Sequence, residues 1–225
     1  MSINFILGEK IMFKMVIFDL DGTLLNTLDD LADAGNHALQ RLGFPVHETD
    51  KYRYFVGNGI PKLIERIVPE NCTTETRNKV YKEFCSYYEE HMNDNTRPYD
   101  GVVEMLKKLN EHKIISVVVT NKADDFAGII VERYFGKLIN KTYGSIEGYP
   151  KKPDPYWVNK AIEEFGFDRT EIMYVGDSGV DMQTAVNSGL YSCGVTWGFR
   201  DKEELVSNGA DVICSDYNSL LNIVI

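Results

Sequence analysis

Two aspartates separated by one residue follow an apolar run near the start of the chain. The segment MVIFDLDGTLLNT, residues 15–27, is typical of a buried strand and ends in Asp19 and Asp21. Burying even a neutral polar group without a partner costs roughly 2–7 kcal/mol, and an unpaired carboxylate costs more. The two carboxylates therefore need a partner, and a cation is the partner that their chemistry suggests.

Two further groups of polar residues accompany later apolar runs. Thr120, Asn121 and Lys122 come at the end of IISVVVTNK, while Asp177 follows EIMYVG and precedes Asp181 by about one helical turn. In an open parallel sheet, ligands bind at the carboxyl ends of the strands, so we expect these side chains to converge on one edge.

Carboxylates gathered at one edge repel one another, and their oxygens suit a hard cation such as Mg²⁺. Protein-bound magnesium usually contacts its substrate through phosphate oxygens, so the expected substrate is a phosphate ester. The hydroxyl of Thr120 and a lysine from KKPDP, residues 151–155, would then bind the remaining phosphate oxygens.

The elements that must position these residues alternate along the second half of the chain. Apolar runs predict strands at 15–19, 114–120, 171–177, 191–196 and 211–214, and helical periodicity predicts helices at 102–110, 124–134, 155–165, 181–188 and 217–224. This alternation predicts an α/β fold with a doubly wound parallel sheet and helices on both faces.

The segment 26–96 interrupts that alternation. Its apolar residues recur at helical spacing, as Leu28, Leu31 and Leu42 do early in the segment and Val80 and Phe84 do later. We therefore predict an α-helical cap domain at 26–96 inserted into a core domain made of 1–25 and 97–225.

Composition limits the classes of partner. The 225 residues carry a formal net charge of −10, which argues against a general affinity for nucleic acid or anionic membranes. No stretch reaches the ~20 apolar residues that span a bilayer, and the first apolar run is too short for a signal peptide. We expect a cytoplasmic monomer or homodimer that acts on a small molecule. The four cysteines and four histidines show no metal-ligand spacing.

The ordered motifs DLDGT, VVVTNK, KKPDP and GDSGVD resemble the four motifs of the haloacid dehalogenase superfamily over essentially the whole chain. The insert containing YFVGNGIPKLIERIVP is similar to that of phosphoglycolate phosphatases and their relatives. The resemblance implies a Rossmann-like core, an inserted helical cap and a Mg²⁺-dependent phosphatase that acts on a small phosphate monoester.

The same resemblance implies catalytic roles. Asp19 would be the nucleophile that forms an aspartyl phosphate, and Asp21 would protonate the leaving oxygen and then activate water. Thr120 would hold the phosphoryl group, and Lys152 would offset negative charge. Lys152 is preferred to Lys151 because it directly precedes the Pro-Asp-Pro turn, as the family pattern requires.

The metal and the substrate are assigned further residues by the same resemblance. Asp19, Asp177 and the backbone carbonyl of Asp21 would bind Mg²⁺, and Asp181 would lie close to these ligands. The cap loop FVGNG is expected to meet the substrate, with a cation such as Arg53 receiving a second anionic group. The residues expected to contact the substrate are Gly22, Asn121, Arg53, Gly57, Asn58 and Gly59.

Several alternatives remain at this level. DLDGT could be a calcium loop, although its glycine is at the fourth position rather than the sixth that an EF-hand requires. Asp177 and Asp181 could simply cap a helix. A phosphomutase could use the same aspartyl phosphate, and a phosphoacceptor signalling domain could use similar residues without turnover. A silent binding protein and a dehalogenase are disfavoured. The physiological substrate and pathway stay open.

Overall fold

The computed structural model describes residues 12–225 and the backbone of residues 5–6 and 9–10. Strands β1 (Phe5–Ile6) and β2 (Glu9–Lys10) pair in antiparallel register. The predicted core domain begins at residue 1, so residues 1–4, 7–8 and 11 of that prediction lie outside the described residues.

A six-stranded parallel sheet forms the centre of the fold. Its strand order is β10-β9-β8-β3-β6-β7, and every neighbouring pair is parallel. The strands are β3 (Met15–Phe18), β6 (Ile115–Ala123), β7 (Lys141–Ser145), β8 (Ile172–Gly176), β9 (Tyr191–Val195) and β10 (Val212–Cys214). The sheet was predicted except for β7, whose sequence KTYGS lacks a continuous apolar run because it is a partly exposed edge strand.

Helices cover both faces of this sheet. They are α5 (Val102–Glu111), α6 (Asp124–Tyr134), α7 (Tyr156–Phe165), α8 (Gly179–Ser188), α9 (Lys202–Ser207) and α10 (Tyr217–Val224). Successive strand residues point to opposite faces, so Val16 and Phe18 join one apolar cluster while Met15 and Ile17 join the other. The predicted doubly wound α/β fold is therefore confirmed.

The segment between the first two central strands is helical. It contains α1 (Leu28–Arg41), α2 (Tyr52–Phe55), α3 (Ile60–Ile67) and α4 (Thr74–His91). Pro61 occupies the first turn of α3, where its missing N–H breaks no helical hydrogen bond. None of the helices in the described part of the chain is both long and apolar enough to cross a membrane.

Two short strands bring the ends of this helical segment together. β4 (Leu25–Asn26) pairs antiparallel with β5 (Arg97–Pro98), so the chain leaves and re-enters the sheet region at one point. The boundaries predicted for a separate cap domain coincide with this pair. Its status as a domain that moves independently stays a prediction.

We predict that Phe84→Ala lowers the free energy of unfolding by about 3–5 kcal/mol, because it leaves a cavity in the helical segment. Phe84 is fully buried in α4, whereas Tyr81 on the same helix is 39% exposed. Tyr81→Ala is therefore the matched control, expected to cost much less. Denaturant unfolding of both variants measures the difference, and equal losses would contradict the packing described here.

Candidate active site

Three neighbouring strands deliver the predicted catalytic residues to one edge of the sheet. Asp19 directly follows β3, Asp177 directly follows β8, and Thr120 lies near the end of β6. The N–H of Asp19 donates to the carbonyl oxygen of Val175 at 2.9 Å, which continues the β3–β8 register to this point. The expected convergence at the carboxyl ends of the strands is thus present in the structure.

Lys152 is the cation nearest to the proposed nucleophile. Its Nζ lies 2.8 Å from Oδ1 of Asp19 and 2.8 Å from Oδ1 of Asp181, and all three side chains are buried. Burial alone would lower the pKa of Lys152, but the carboxylates of Asp181 and Asp19 hold that pKa well above its ordinary value. Lys152 therefore stays charged beside Asp19.

Asn121 holds the Lys152 loop in place. Its Oδ1 accepts from the backbone N–H of Lys152 at 2.9 Å, and its Nδ2 donates to the Lys152 carbonyl at 3.2 Å. Nδ2 also lies 3.1 Å from the carbonyl oxygen of Gly57, in the helical segment. Asn121 thus connects the lysine loop to the Gly57 loop by direct hydrogen bonds.

Asp177 is fixed by two donors and two close glycines. The Thr23 hydroxyl donates to its Oδ1 at 3.0 Å, and the Phe199 N–H donates to its Oδ2 at 2.7 Å. A Cβ on Gly22 would lie 2.3 Å from Oδ2 of Asp177, and one on Gly198 would lie 2.3 Å from its Cβ. Gly22, with φ of +89°, is therefore required by close packing, and its expected substrate contact stays a prediction.

Asp181 is engaged at every acceptor position of its carboxylate. Oδ1 accepts from Lys152 Nζ at 2.8 Å and from the Tyr174 hydroxyl at 3.3 Å. Oδ2 accepts from the N–H and the hydroxyl of Ser178 at 3.1 and 2.6 Å, as part of a capping box that begins α8. Asp19 and Asp177 have more acceptor capacity left, so they are better placed than Asp181 to bind a cation directly.

The three carboxylates have the chemistry of a divalent cation site. One oxygen from each of Asp19, Asp177 and Asp181 lies within 4.8 Å of the others. Burial, with the like charge of Asp181 adding to it, raises the pKa of Asp19 to about 7 and that of Asp177 to about 8. The raised pKa values show that burial and neighbouring like charge disfavour the ionised carboxylates, a cost that a cation would offset. An all-oxygen donor set suits a hard ion such as Mg²⁺. The residues present therefore fit a divalent metal.

Asp21 has a partner that the sequence did not assign. Lys122 Nζ lies 3.1 and 3.3 Å from the two carboxylate oxygens of Asp21 and 2.6 Å from the hydroxyl of Tyr88. Burial alone would lower the pKa of Lys122, but Asp21 and Tyr88 raise it above the ordinary value. Burial raises the pKa of Tyr88 to about 12, so its hydroxyl remains protonated.

A pocket closes over these groups from the helical segment. The residues of the core that line it are Asp19, Asp21, Thr120, Asn121 and Lys122. The residues of the helical segment that line it are Leu31, Val56, Gly57, Gly59, Ile60, Leu63 and Tyr88. Six of the predicted site residues are thus gathered around one cavity. The FVGNG loop lies beside Asp19, as the sequence led us to expect.

Two of the residues expected to contact the substrate are held elsewhere. Arg53 donates to the Gly198 carbonyl at 3.1 Å and lies 3.6 Å from a carboxylate oxygen of Asp50. Oδ1 of Asn58 accepts from Arg66 at 2.7 Å. Their substrate contacts stay predictions, because these side chains already have protein partners in this structure.

Arg200 attaches α2 and the start of the FVGNG loop to the core. Its guanidinium donates to the carbonyl oxygens of Arg53 and Val56, the second at 3.0 Å. Because Arg200 follows Phe199, whose N–H binds Asp177, one short segment contacts both the carboxylate cluster and the loop above it. No motif in the sequence singled out this arginine.

Comparison with known proteins agrees with this geometry. The model of the haloacid dehalogenase-like hydrolases matches residues 16–195, including the strands that carry Asp19, Thr120 and Asp177. The chain belongs to this family. It is 32% identical to the phosphoglycolate phosphatase of Vibrio parahaemolyticus over 94% of the chain and 96% of that protein. The predicted resemblance is therefore confirmed, both to the haloacid dehalogenase superfamily and to phosphoglycolate phosphatases.

Solved structures of the family share the fold. A predicted phosphoglycolate phosphatase from Haemophilus somnus superimposes with a TM-score of 0.89 at 30% identity, covering 95% of this chain and 98% of the other. A provisionally named β-phosphoglucomutase from Bacteroides vulgatus has a TM-score of 0.77 at 18% identity, covering 96% and 90%. At 18% identity, the similarity to the β-phosphoglucomutase shows only a shared fold.

We predict that Mg²⁺ raises the melting temperature more at about pH 9 than at about pH 5. The folded pKa values of Asp19 and Asp177, about 7 and about 8, exceed the ordinary value of 3.8. The unfolded chain therefore binds fewer protons in this window, and the metal-free protein loses stability as the pH rises through it. Mg²⁺ binds the deprotonated carboxylates and offsets that loss above about pH 8.

Thermal melts with and without Mg²⁺ at the two pH values measure this effect, and Asp177→Asn should lose most of it. An equal rise at both pH values would contradict the assignment of these carboxylates to the metal.

Proposed function

We propose that this protein is a Mg²⁺-dependent phosphatase that hydrolyses a small phosphate monoester, with phosphoglycolate as the leading candidate, through an aspartyl phosphate on Asp19. One observation carries the proposal. Asp19 lies 2.8 Å from the buried ammonium of Lys152, beside a carboxylate cluster and at the base of a covered pocket. This arrangement combines a nucleophile, positive charge for a phosphoryl group and shelter from water.

The class of enzyme is already established by the relatives. The chain is a phosphoric monoester hydrolase of the haloacid dehalogenase-like family. The metal identity, the covalent intermediate and the substrate are the parts that we propose. A cytoplasmic location and a monomeric or homodimeric state stay predictions.

Phosphoglycolate is proposed because of the relatives and the size of the pocket. The Vibrio parahaemolyticus relative is named for that substrate and aligns over 94% of this chain. The pocket is narrow, with a cavity volume of about 30 Å³, which disfavours large esters. Most of its upper wall is apolar, from Leu31, Val56, Ile60 and Leu63.

In the first half of the reaction, a carboxylate oxygen of Asp19 attacks phosphorus and the bond from phosphorus to the ester oxygen breaks. Thr120 donates its hydroxyl to a phosphoryl oxygen, and Lys152 offsets the negative charge shared by Asp19 and the phosphoryl group. Asp21 gives its proton to the departing oxygen. Asp19 and Asp177 would hold Mg²⁺, which neutralises phosphate charge and lowers repulsion against the attacking carboxylate.

In the second half, Asp21 removes a proton from water, and the water oxygen attacks phosphorus. The bond to Asp19 breaks, and free phosphate is released with Asp19 restored. Dividing the displacement in this way replaces one difficult step by two easier ones. Lys122 holds the carboxylate of Asp21 in the pocket, at 3.1 and 3.3 Å from its two oxygens.

The phosphomutase alternative differs only in the fate of the phosphoryl group, which returns to the substrate instead of passing to water. The mutase-named neighbour is only 18% identical to this chain, so it supplies no argument beyond the fold. Free phosphate release separates the two activities. A signalling domain without turnover is disfavoured, because it gives no role to Asp21 or to the covered pocket.

We predict that Asp19→Asn reduces phosphate release from phosphoglycolate by at least about a thousandfold, because it removes the attacking oxygen with little change in shape. Asp125→Asn, at an exposed position, is the matched control and should retain activity. Circular dichroism checks that both variants fold. Near wild-type rates in Asp19→Asn would refute the covalent route.

We also predict that Asp21→Asn slows ethyl phosphate hydrolysis more than nitrophenyl phosphate hydrolysis, by about tenfold or more. The alkoxide leaving group needs a proton, whereas nitrophenolate leaves without one. The ratio of kcat/KM values for the two esters measures this effect. If the ratio of kcat/KM values equalled that of the wild type, Asp21 would not be the acid.

A further inference from the structure

The pocket has a second end, away from the phosphoryl group. Asp19 and Thr120 mark the reacting end, while Leu31, Leu63 and Tyr88 border the space in which the remainder of the ester must lie. A metal and the strand-end residues recognise phosphate alone, so discrimination between esters requires contacts at this second end. Lys122 is the one cationic side chain among the described residues that line the pocket.

Lys122 presents its ammonium to the pocket. Its three contacts are the two carboxylate oxygens of Asp21, at 3.1 and 3.3 Å, and the hydroxyl of Tyr88, at 2.6 Å. One N–H shared between the two Asp21 oxygens and one directed to Tyr88 would leave a third N–H for a ligand. The side chain is only 3% exposed, so a partner there would bind it with little competition from water.

The hydroxyl of Tyr88 is a second donor at the same place. It accepts from Lys122 at 2.6 Å, and its own hydrogen has no acceptor among the contacts of the described residues. Tyr88 lies on α4, stacks on Phe84 with ring centroids 5.6 Å apart and meets Phe126 edge to face at 5.4 Å. Its position is therefore well defined by packing, so the hydroxyl is held where a ligand could accept from it.

Three other cations near the pocket already have protein partners. Lys152 bridges Asp19 and Asp181, and Arg200 binds the backbone carbonyls of Arg53 and Val56, in α2 and at its C-terminal end. Arg53, which the sequence suggested for a second anionic group, donates to the Gly198 carbonyl. Lys151 is exposed and lines a separate outer groove, but its Nζ would lie 3.6 Å from a Cβ on Gly59, so it is the competing cation.

We propose that Lys122 and Tyr88 together receive the acidic group on the leaving side of the substrate, which makes these two residues the determinants of specificity for a phosphorylated short hydroxy acid. This inference rests on the proposed phosphatase function and deepens it. One carboxylate oxygen of the ligand accepts from Lys122, and the same or the other oxygen accepts from Tyr88. Since Lys122 also binds Asp21, the contact places the ester oxygen next to the acid that protonates it.

The test compares two esters that differ only at the proposed contact. Phosphoglycolate carries a carboxylate where ethyl phosphate carries a methyl group. The wild type in Mg²⁺ should prefer phosphoglycolate by more than about tenfold in kcat/KM. Lys122→Met should reduce that preference about tenfold or more, and Tyr88→Phe should reduce it about threefold or more. Both esters release an alkoxide, so a loss through Asp21 affects them to a similar extent and changes the ratio little.

Two further variants sharpen the comparison. Lys122→Arg keeps the charge and should retain part of the preference. Lys151→Met removes a lysine outside the pocket and should leave the preference unchanged. If Lys122→Met fails to fold, the substrate preference of Tyr88→Phe decides the question. That substitution removes only the hydroxyl oxygen and keeps the packed ring.

The outcomes separate this inference from the function on which it rests. Turnover of ethyl phosphate with preferences in Lys122→Met and Tyr88→Phe within about twofold of the wild type would overturn the inference and leave the phosphatase standing. A larger change in Lys151→Met than in Lys122→Met would also overturn it. No turnover of either ester would refute the proposed function, and this inference with it.

Discussion

The site depends on placing three buried carboxylates close together, with one lysine between two of them. Asp19, Asp177 and Asp181 repel one another in a region of low dielectric, and Lys152 alone cannot neutralise them. The neighbouring structure therefore supplies donors to Asp177 from Thr23 and Phe199, and to Asp181 from Ser178 and Tyr174. What remains uncompensated is concentrated at Asp19 and Asp177, where a divalent cation is most strongly favoured.

The carboxylate cluster also requires close packing of the backbone around it. A Cβ on Gly176 would lie 2.2 Å from the Cβ of Asp181, and Gly22 and Gly198 are equally close to Asp177. These three glycines lie in different segments of the sequence, yet each allows a neighbouring strand or loop to approach a carboxylate. The helical segment then covers the cluster. Asn121 attaches it at Gly57, and Arg200 attaches it at Arg53 and Val56, in α2 and at its C-terminal end.

Much of this organisation could be predicted from residue types and spacing. Strands β3, β6, β8 and β9 are apolar runs because they are buried by helices on both faces, and acidic residues directly follow β3 and β8. The edge strand β10 is only partly buried, but its three residues are all apolar. β7 was missed because an edge strand needs no continuous apolar run. The pairing of Lys122 with Asp21 and Tyr88 was also missed, since it joins residues 101 and 34 positions apart and leaves no periodic pattern.

The covalent intermediate on Asp19 is the central claim, and trapping it is the most direct measurement. Asp21→Asn with nitrophenyl phosphate should form the intermediate, because this leaving group needs no acid, and should hydrolyse it slowly, because the base is missing. Borohydride reduction followed by peptide mass spectrometry should then find Asp19 converted to homoserine. Ester turnover with an unmodified Asp19, or with the modification at another carboxylate, would contradict the account.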